Sequence, residues 1–388
     1  DRRLAKGPLH PQVKWKRPLG SGYAGIVIAG PRLVTAYTDG SHDRLICLDK
    51  SNGTTQWDIA IDAGYRGRNG SFDGPLATPV VSGQTVVTLT AQGRLLAVNL
   101  LDGTVLWSRR LTEPPINAPS PHYGFSSSPI IVGGIVIVLA GGPGAFATGF
   151  DLASGQLAWK SGDDDVQCQS AIYTKLAGQQ MVVAAGMSKL FGLDSQTGKP
   201  WFELPHDGRG ARGALSIVPV VVDENRLFIA HDDRASRLYE VIQATDGLVV
   251  RPVWTTPAIA NTYNVPVVRD QVLYGYNDRI LTAVDPGTGN RLWRCREPGD
   301  GFHIAVDNCL VVITKRGVLN LCAASNSRFQ SLARLPLFED LVWTPPAYSD
   351  HAIYARSLGE IACVDLLGSS SSVTTPVARN HAFKMAPG

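Results

Sequence analysis

The sequence predicts an all-β fold, an eight-bladed β-propeller, on three observations: a repeated cassette, a strand-and-turn pattern in each repeat, and a chain start that complements the chain end. The cassette runs apolar–x–small–apolar–Asp/Asn, with Gly four residues later and Trp eight residues later. Four copies keep this spacing: Asp49, Gly53 and Trp57; Asn99, Gly103 and Trp107; Asp151, Gly155 and Trp159; Asp285, Gly289 and Trp293. A repeat of roughly 40 to 50 residues along a whole chain is typical of propeller blades.

Four looser copies bring the number of repeats to eight. They are Asp194, Gly198 and Trp201, with the Trp one place early; Gln243, Gly247 and Trp254, with an insertion; Ala323 to Phe329; and Val364-Asp365. Because the copies run from one end of the chain to the other, we predict one ring and not two domains.

Each repeat has the pattern of four short strands. In the second repeat, we predict strands at residues 77–81, 85–89 and 94–99, rich in Val and bounded by Gly-containing turns. The Asp–x₃–Gly segment suits the turn between the third and fourth strands, since Gly accepts a positive φ. The Trp then begins the fourth strand, where we expect it to dock over the seam with the next blade.

The chain start is predicted to close the ring. The last repeat has Asp365 but no Trp after it, whereas Trp15 lies before the first complete repeat. We therefore expect the N-terminal strand to be the fourth strand of the last blade, which hides exposed sheet edges. The predicted organisation is a flexible tail at 1–11, a single propeller at 12–367 and a flexible tail at 368–388.

The bulk properties exclude several classes of function. The formal net charge is +3 with both signs dispersed, so no nucleic-acid partner is indicated. No apolar run approaches about 18 residues, so no transmembrane segment is predicted. Nothing indicates self-association, and we expect a monomer.

Six cysteines are scattered without a C-x-x-C pattern, and none suggests a metal site. If Lys315-Arg316 form a hairpin tip, Cys309 and Cys322 fall opposite each other on neighbouring strands. A disulfide between them and a pair of buried thiols are both open interpretations.

The segments that precede the first strands are predicted to line one mouth of the central channel. Their polar and aromatic residues are Tyr23, Asp73, Tyr123, Ser126, Gln167 or Gln169, Arg212, Tyr263, Asn264, His303 and Trp343. Aromatic faces with convergent donors suit a planar, anionic or sugar-like ligand. The alternative is a polar channel whose groups satisfy one another and ordered water.

Within this set we assign candidate roles. Asp73 and His303 are the candidate catalytic pair, acting as acid and base if they face each other. Tyr23, Tyr123, Ser126, Arg212, Tyr263, Asn264 and Trp343 are the candidate ligand-binding residues, and Arg212 suits a carboxylate.

The cassette resembles the pyrroloquinoline quinone (PQQ) repeat, A-x-D-x-x-T-G-x-x-x-W, most closely at residues 285–293. The resemblance implies an eight-bladed propeller with tryptophan-docked blades. In that family, large quinoprotein dehydrogenases bind PQQ and a metal ion in the central funnel, whereas BamB and exported relatives hold other proteins. Segments 18–23, 73–75 and 122–129 are similar to the short exported BamB-like group.

Two functions follow from the resemblance. The first is an exported binding or scaffold protein of the periplasm or cell envelope, with a protein partner or a small ligand in the funnel. The alternative is a PQQ- and calcium-dependent alcohol or sugar dehydrogenase. The sequence lacks the adjacent cysteine pair of many such enzymes, a C-x-x-C-H haem motif and an assignable metal-binding set. We therefore assign no metal and no cofactor, and keep PQQ with calcium as the alternative.

Overall fold

The first strand of the chain pairs with its last strand, and this pairing closes a ring of eight four-stranded antiparallel sheets. The computed structural model describes residues 9–206, 216–231, 235–260 and 263–367, and these residues form no helix. In the closing pair, Trp15 lies opposite Cys363. The predicted eight-bladed propeller and its closure by the N-terminal strand are therefore confirmed.

Blades 1 to 4 each use four consecutive strands, which lie in chain order across the sheet. Their strands are β2 (Val27–Ala29), β3 (Arg32–Thr38), β4 (His42–Asp49) and β5 (Thr55–Ala63); β6 (Val80–Ser82), β7 (Thr85–Leu89), β8 (Arg94–Asn99) and β9 (Val105–Arg110); β10 (Ile130–Val132), β11 (Ile135–Leu139), β12 (Ala147–Asp151) and β13 (Leu157–Ser161); β14 (Ile172–Leu176), β15 (Gln179–Ala185), β16 (Lys189–Leu193) and β17 (Pro200–Pro205). The predicted second and third strands of blade 2 match β7 and β8 residue for residue.

Blades 5 to 7 follow the same order, and blade 8 takes its outer strand from the chain start. Their strands are β18 (Val220–Val221), β19 (Arg226–Ile229), β20 (Ser236–Ala244) and β21 (Gly247–Thr256); β22 (Val267–Arg269), β23 (Val272–Asn277), β24 (Ile280–Val284) and β25 (Arg291–Cys295); β26 (Gly301–Val306), β27 (Cys309–Thr314), β28 (Val318–Ala323) and β29 (Ser331–Pro336); β30 (Ala347–Ser349), β31 (Ala352–Arg356), β32 (Glu360–Asp365) and β1 (Gln12–Pro18).

The Asp–x₃–Gly segment forms the turn between the third and fourth strands, as predicted. In blade 1 the Gly53 N–H donates to the Asp49 carbonyl at 2.8 Å, and the Asp49 carboxylate accepts from the Ser51 N–H at 2.8 Å. Gly53 has a φ of 75°, and a Cβ there would lie 2.7 Å from the Trp15 ring. Glycine is therefore required both for the backbone conformation and for the approach of the neighbouring indole.

Six tryptophans of the described residues make the same contact with the next blade. Each indole N–H donates to a backbone carbonyl of the following third-to-fourth-strand turn, at distances between 2.7 and 3.2 Å: Trp15 to Lys50, Trp57 to Leu100, Trp107 to Leu152, Trp159 to Ser195, Trp254 to Pro286 and Trp293 to Ser325. The indole thus covers apolar surface at the seam while its one polar group is satisfied.

Blades 4 and 7 depart from this arrangement. The spacing of eight residues from Asp194 falls on Phe202, which is 8% exposed and lies opposite Gly192, whereas Trp201 is 40% exposed. The expectation that Trp201 covers the seam is therefore wrong, because side chains alternate between the faces of a strand. In blade 7 Ala333 takes the equivalent position opposite Leu321, and Phe329 precedes the fourth strand.

The two cysteines of blade 7 do not form a disulfide. Cys309 pairs with Ala323, and Leu310 pairs with Cys322, so the register differs by one residue from the predicted one. A shift of one residue sends a side chain to the other face of the sheet. Cys309 accordingly packs toward blade 8 and Cys322 toward blade 6, and both are free thiols.

A buried arginine joins the last blade to the first. Arg356 is 1% exposed, and its guanidinium donates to the carbonyls of Ala36 at 2.6 Å and Gly20 at 2.8 Å. Longer contacts of 3.3 Å reach the Ala24 carbonyl and the Thr35 hydroxyl. Burial lowers the pKa of Arg356 to about 10, so the group stays charged at neutral pH. The seam where the ring closes is thus held by hydrogen bonds to backbone as well as by strand pairing.

The predicted tails fall mostly outside the described residues, at 1–8 and 368–388. Within the predicted N-terminal tail, the His10 N–H donates to the Leu366 carbonyl at 3.0 Å, and Leu9 packs against the core between blades 7 and 8. The attached part of the chain therefore begins before residue 12.

Candidate functional site

A cavity opens on the ring axis at one face of the propeller. This face, here called the funnel face, carries the segments before the first strands and the hairpins between the second and third strands. The axial cavity has a volume of about 390 Å³. Its lining residues come from all eight blades or the segments leading into them: Tyr23, Arg68, Asn69, Gly70, Ser71, Phe72, Leu76, Tyr123, Ser126, Cys168, Ser216, Tyr263, Phe302, Trp343 and Pro345.

Trp343 is the centre of an aromatic wall in this cavity. Its ring contacts Tyr23 at 6.3 Å, Tyr263 at 6.3 Å and Phe302 at 6.1 Å between centroids. All three pairs are edge-to-face, the geometry that aromatic quadrupoles favour. The Trp343 side chain is therefore fixed by packing while one surface of it faces the cavity.

A lysine supports Trp343 from outside the cavity. The Lys315 ammonium lies 4.2 Å from the centroid of the Trp343 ring and 2.8 Å from the Asp300 carboxylate. A cation over an indole face is held by the ring quadrupole. Lys315 thus links the axial cavity to the surface between blades 6 and 7.

Tyr23 and Tyr65 are held by hydrogen bonds to the backbone. The Tyr23 hydroxyl accepts from the Phe72 N–H at 2.7 Å, and the Tyr65 hydroxyl donates to the Tyr123 carbonyl at 2.7 Å. Burial raises the pKa of the Tyr23 hydroxyl, so it stays protonated at neutral pH. These bonds fix the loop at 66–72 against blades 1 and 3.

The predicted acid and base do not meet. Asp73 binds Arg66 at 2.6 Å and accepts from the Gly67 N–H at 2.9 Å; these contacts, the Gly67 bond first, lower its carboxyl pKa. His303 is 5% exposed, its ring nitrogen lies 3.4 Å from the Tyr274 carbonyl, and burial lowers its pKa to about 4. Neither lines the axial cavity. The structure therefore places Asp73 in a loop-stabilising pair and a neutral His303 in the core.

The structure brings five of the predicted ligand-binding residues together in the axial cavity: Tyr23, Tyr123, Ser126, Tyr263 and Trp343. Asn264 follows Tyr263 but is 1% exposed and is not part of the lining. Arg212 lies outside the described residues.

Sequence reasoning missed Arg68, Phe72, Cys168 and Phe302. The signal for the first two is the long connection between β5 and β6, residues 64–79, which supplies most of one wall. Cys168 is half-buried in the cavity lining, and burial raises its thiol pKa, so it is not a poised nucleophile. No sequence pattern singles out Cys168 or Phe302.

The described lining does not fit a calcium-bound quinone. None of its residues carries a carboxylate, and calcium prefers carboxylate and carbonyl oxygens. The described residues also contain no group of three or more His, Cys, Asp or Glu side chains placed to hold a metal ion. Arg68 is the one charged side chain of the described lining, a poor match for a ligand with several carboxylates.

These features define a class: an eight-bladed propeller of tryptophan-containing repeats with an aromatic cavity on its axis. The sequence matches the family model described as outer membrane protein assembly factor BamB over residues 5–161, 120–294 and 211–379. Because the match covers most of the chain, the protein belongs to this family.

Two proteins of known identity match parts of the sequence, and a solved structure has the same fold. BamB of Yersinia pestis is 24% identical over 150 residues, and the quinohemoprotein alcohol dehydrogenase ADH IIB of Pseudomonas putida is 29% identical over 129 residues. These matches cover 38% and 32% of this chain, but only 36% and 18% of the two relatives. The crystal structure of BamB from Moraxella catarrhalis superposes with a TM-score of 0.69 and 17% identity, covering 92% of this chain and 100% of that one.

The described residues contain no helix with the length and hydrophobicity needed to cross a membrane.

Proposed function

We propose that this protein is an exported propeller of the cell envelope that binds a segment of a partner protein on its funnel face. Membership of a family described as an outer membrane protein assembly factor supports an envelope location and a protein partner. The similarity to BamB of Yersinia pestis points the same way.

The observation that carries the proposal is the aromatic rim of the axial cavity. Phe72 is 40% exposed and lies beside the Tyr23 ring. Tyr263 is 41% exposed and lies beside the Trp343 ring. Clustered, partly exposed aromatic side chains around a concave centre are typical of the energetic centres of protein interfaces. Single exposed aromatic residues are common on protein surfaces, whereas a cluster of them around a cavity indicates a binding site.

The cavity suits an anchoring side chain. Its volume of about 390 Å³ is at the small end of the range of ligand pockets. Because its walls come from all eight blades of a closed ring, the cavity is formed before binding, which reduces the ordering cost of association. We infer that a bulky apolar side chain of the partner enters it.

A second candidate, a PQQ- and calcium-dependent dehydrogenase, is favoured by the similarity to the quinohemoprotein alcohol dehydrogenase ADH IIB. The described lining of the axial cavity, which has no carboxylate, opposes it. Titrating the purified protein with PQQ and calcium tests it directly. We expect no change in quinone absorbance and no rise in melting temperature, whereas stoichiometric binding would favour the dehydrogenase.

The main proposal is tested by site-specific photo-crosslinking in living cells of the source organism. Benzoylphenylalanine at Phe72 keeps an aromatic side chain at the cavity rim, and the same group at exposed Gln84 probes the opposite face. We expect a discrete protein adduct from position 72 and none from position 84. Equal adducts from both positions, or none from position 72, would contradict the proposal.

A further inference from the structure

A second cavity on the funnel face lies between blades 6 and 7. This arginine groove has a volume of about 710 Å³. It is lined by the second-to-third-strand hairpins of both blades, by the short connection at 296–300 and by part of β29. Four arginines line it: Arg279, Arg296, Arg316 and Arg334.

These four guanidinium groups are unpartnered within the described residues. All four side chains are exposed. The neighbouring Lys315 is paired with Asp300 at 2.8 Å, but no ion pair or side-chain hydrogen bond of the described residues involves any of the four arginines. Elsewhere on the same face, Arg44 and Arg66 are each paired with an aspartate. The groove therefore contains four positive charges that no ion pair of the described residues neutralises.

The groove also has apolar and acidic members. Ile280, Pro298 and Leu341 contribute apolar surface, whereas Asp278 and Glu297 add negative charge beside the arginines. A uniformly anionic surface, such as a phospholipid headgroup layer, meets repulsion from these carboxylates. A peptide can place its carboxylates opposite guanidinium groups and its apolar side chains between them, and arginine forks match carboxylates with two hydrogen bonds.

We propose that the arginine groove binds an extended acidic segment, with interspersed apolar residues, of the partner protein. The inference rests on the proposed function, because the same partner occupies both sites. Lys315 lies between them: it contacts Trp343 of the axial cavity and lines the groove. A chain anchored in the axial cavity therefore continues into the groove without leaving the funnel face.

The test uses a short fluorescein-labelled peptide of Glu, Leu and Gly, with a peptide carrying Gln for every Glu as the neutral control. Fluorescence anisotropy measures binding to the full chain. The groove variant is Arg296→Glu with Arg316→Glu. Its matched control, Arg291→Glu with Arg328→Glu, makes the same charge change at exposed positions toward the opposite face. A third protein, Phe72→Ala with Tyr263→Ala, removes the aromatic rim.

We expect the acidic peptide to bind the wild-type chain and the control variant alike, and to bind the groove variant at least about tenfold more weakly. Binding should also weaken as salt is raised from about 50 to about 200 mM, because exposed charges are screened. Equal affinity for the acidic and neutral peptides, or undiminished binding to the groove variant, would overturn the inference. Failure of the acidic peptide to bind the wild-type chain would also overturn the inference. The same holds if vesicles of anionic phospholipid bind the wild-type chain and the peptide does not.

The aromatic-rim variant separates this inference from the proposed function. Weaker binding to both variants supports both proposals. Weaker binding to the groove variant alone supports the groove and contradicts the aromatic anchor. Weaker binding to the rim variant alone supports the anchor and overturns the groove.

Discussion

Arg356 and the four arginines of the groove place the same side chain in opposite surroundings. Arg356 is buried at the seam between blades 8 and 1, and four acceptors of blade 1 and the segment before it surround it. The groove arginines are exposed and have no such partners among the described residues. A satisfied, buried guanidinium contributes to folding, whereas an unpartnered, exposed one is available to a ligand. Variants at the closing seam should therefore change stability, and variants of the groove arginines should change binding.

The largest expected effect is at the closing seam. Arg356→Met keeps an unbranched side chain but removes the guanidinium donors, which leaves the Gly20 and Ala36 carbonyls buried without that partner. We expect a loss of about 4 kcal/mol in the free energy of unfolding, since each unsatisfied buried group costs roughly 1 to 3 kcal/mol. Urea unfolding followed by circular dichroism measures it. A loss below about 1 kcal/mol would show that the seam does not depend on this residue.

Blade 4 offers a paired comparison of adjacent residues. Phe202→Ala empties a buried position at the seam and should cost about 3 kcal/mol, whereas Trp201→Ala on the exposed side should cost under about 0.5 kcal/mol. The same urea measurement applies to both variants. A greater loss for Trp201→Ala would mean that Trp201, and not Phe202, covers the seam.

Asp43 in blade 1, which adjoins the closing seam, makes the free energy of unfolding depend on pH. Its carboxylate is buried and accepts from the Tyr65 N–H at 3.1 Å, and burial raises its pKa to about 6. Since the folded-state pKa lies above the unfolded-state value, its stabilising contribution is complete below about pH 4 and is lost as the pH rises through about 6.

The variant Asp43→Asn isolates this contribution. Compared with the wild-type chain, it should gain about 3 kcal/mol of stability at pH 8 and nothing at pH 4, because the pKa of Asp43 is raised from 3.8 to about 6 and one pKa unit corresponds to about 1.4 kcal/mol. Unfolding free energies at the two pH values measure the difference. A gain that is equal at both pH values would show that Asp43 does not titrate in this range.

The smallest expected effect on stability is in the groove. Arg296→Glu with Arg316→Glu should change the free energy of unfolding by less than about 0.5 kcal/mol, since the wild-type side chains are exposed and unpaired. The melting temperature of this variant should therefore match that of Arg291→Glu with Arg328→Glu. A clear destabilisation of the groove variant alone would mean that these arginines serve the fold.

The fold could be predicted from the sequence because each blade repeats the same local chemistry. Asp49, Gly53 and Trp57 act within one turn and one seam, so their spacing is visible in the sequence. The errors arose where register mattered. One residue separates Trp201 from Phe202, and one residue separates the predicted from the observed pairing of Cys309, and either shift reverses the face of the sheet.

The candidate site was predicted in part. Tyr23, Tyr123, Tyr263 and Trp343 could be placed by repeat register, because all of them lie in the segments that lead into first strands; Tyr23, Tyr263 and Trp343 lie four residues before the strand and Tyr123 seven. The arginine groove could not be predicted. Its residues belong to two hairpins, a connection and an outer strand, and only the packing of blades 6 and 7 brings them together.

Hydrogen–deuterium exchange of the full chain, with and without saturating acidic peptide, measures whether the funnel face binds a partner segment across the axial cavity and the arginine groove. We expect slower exchange at 66–72, 277–280 and 314–317 on the funnel face, and unchanged exchange in the opposite turns at 49–54, 99–104 and 151–156. Protection confined to the opposite turns, or spread equally over both faces, would contradict it.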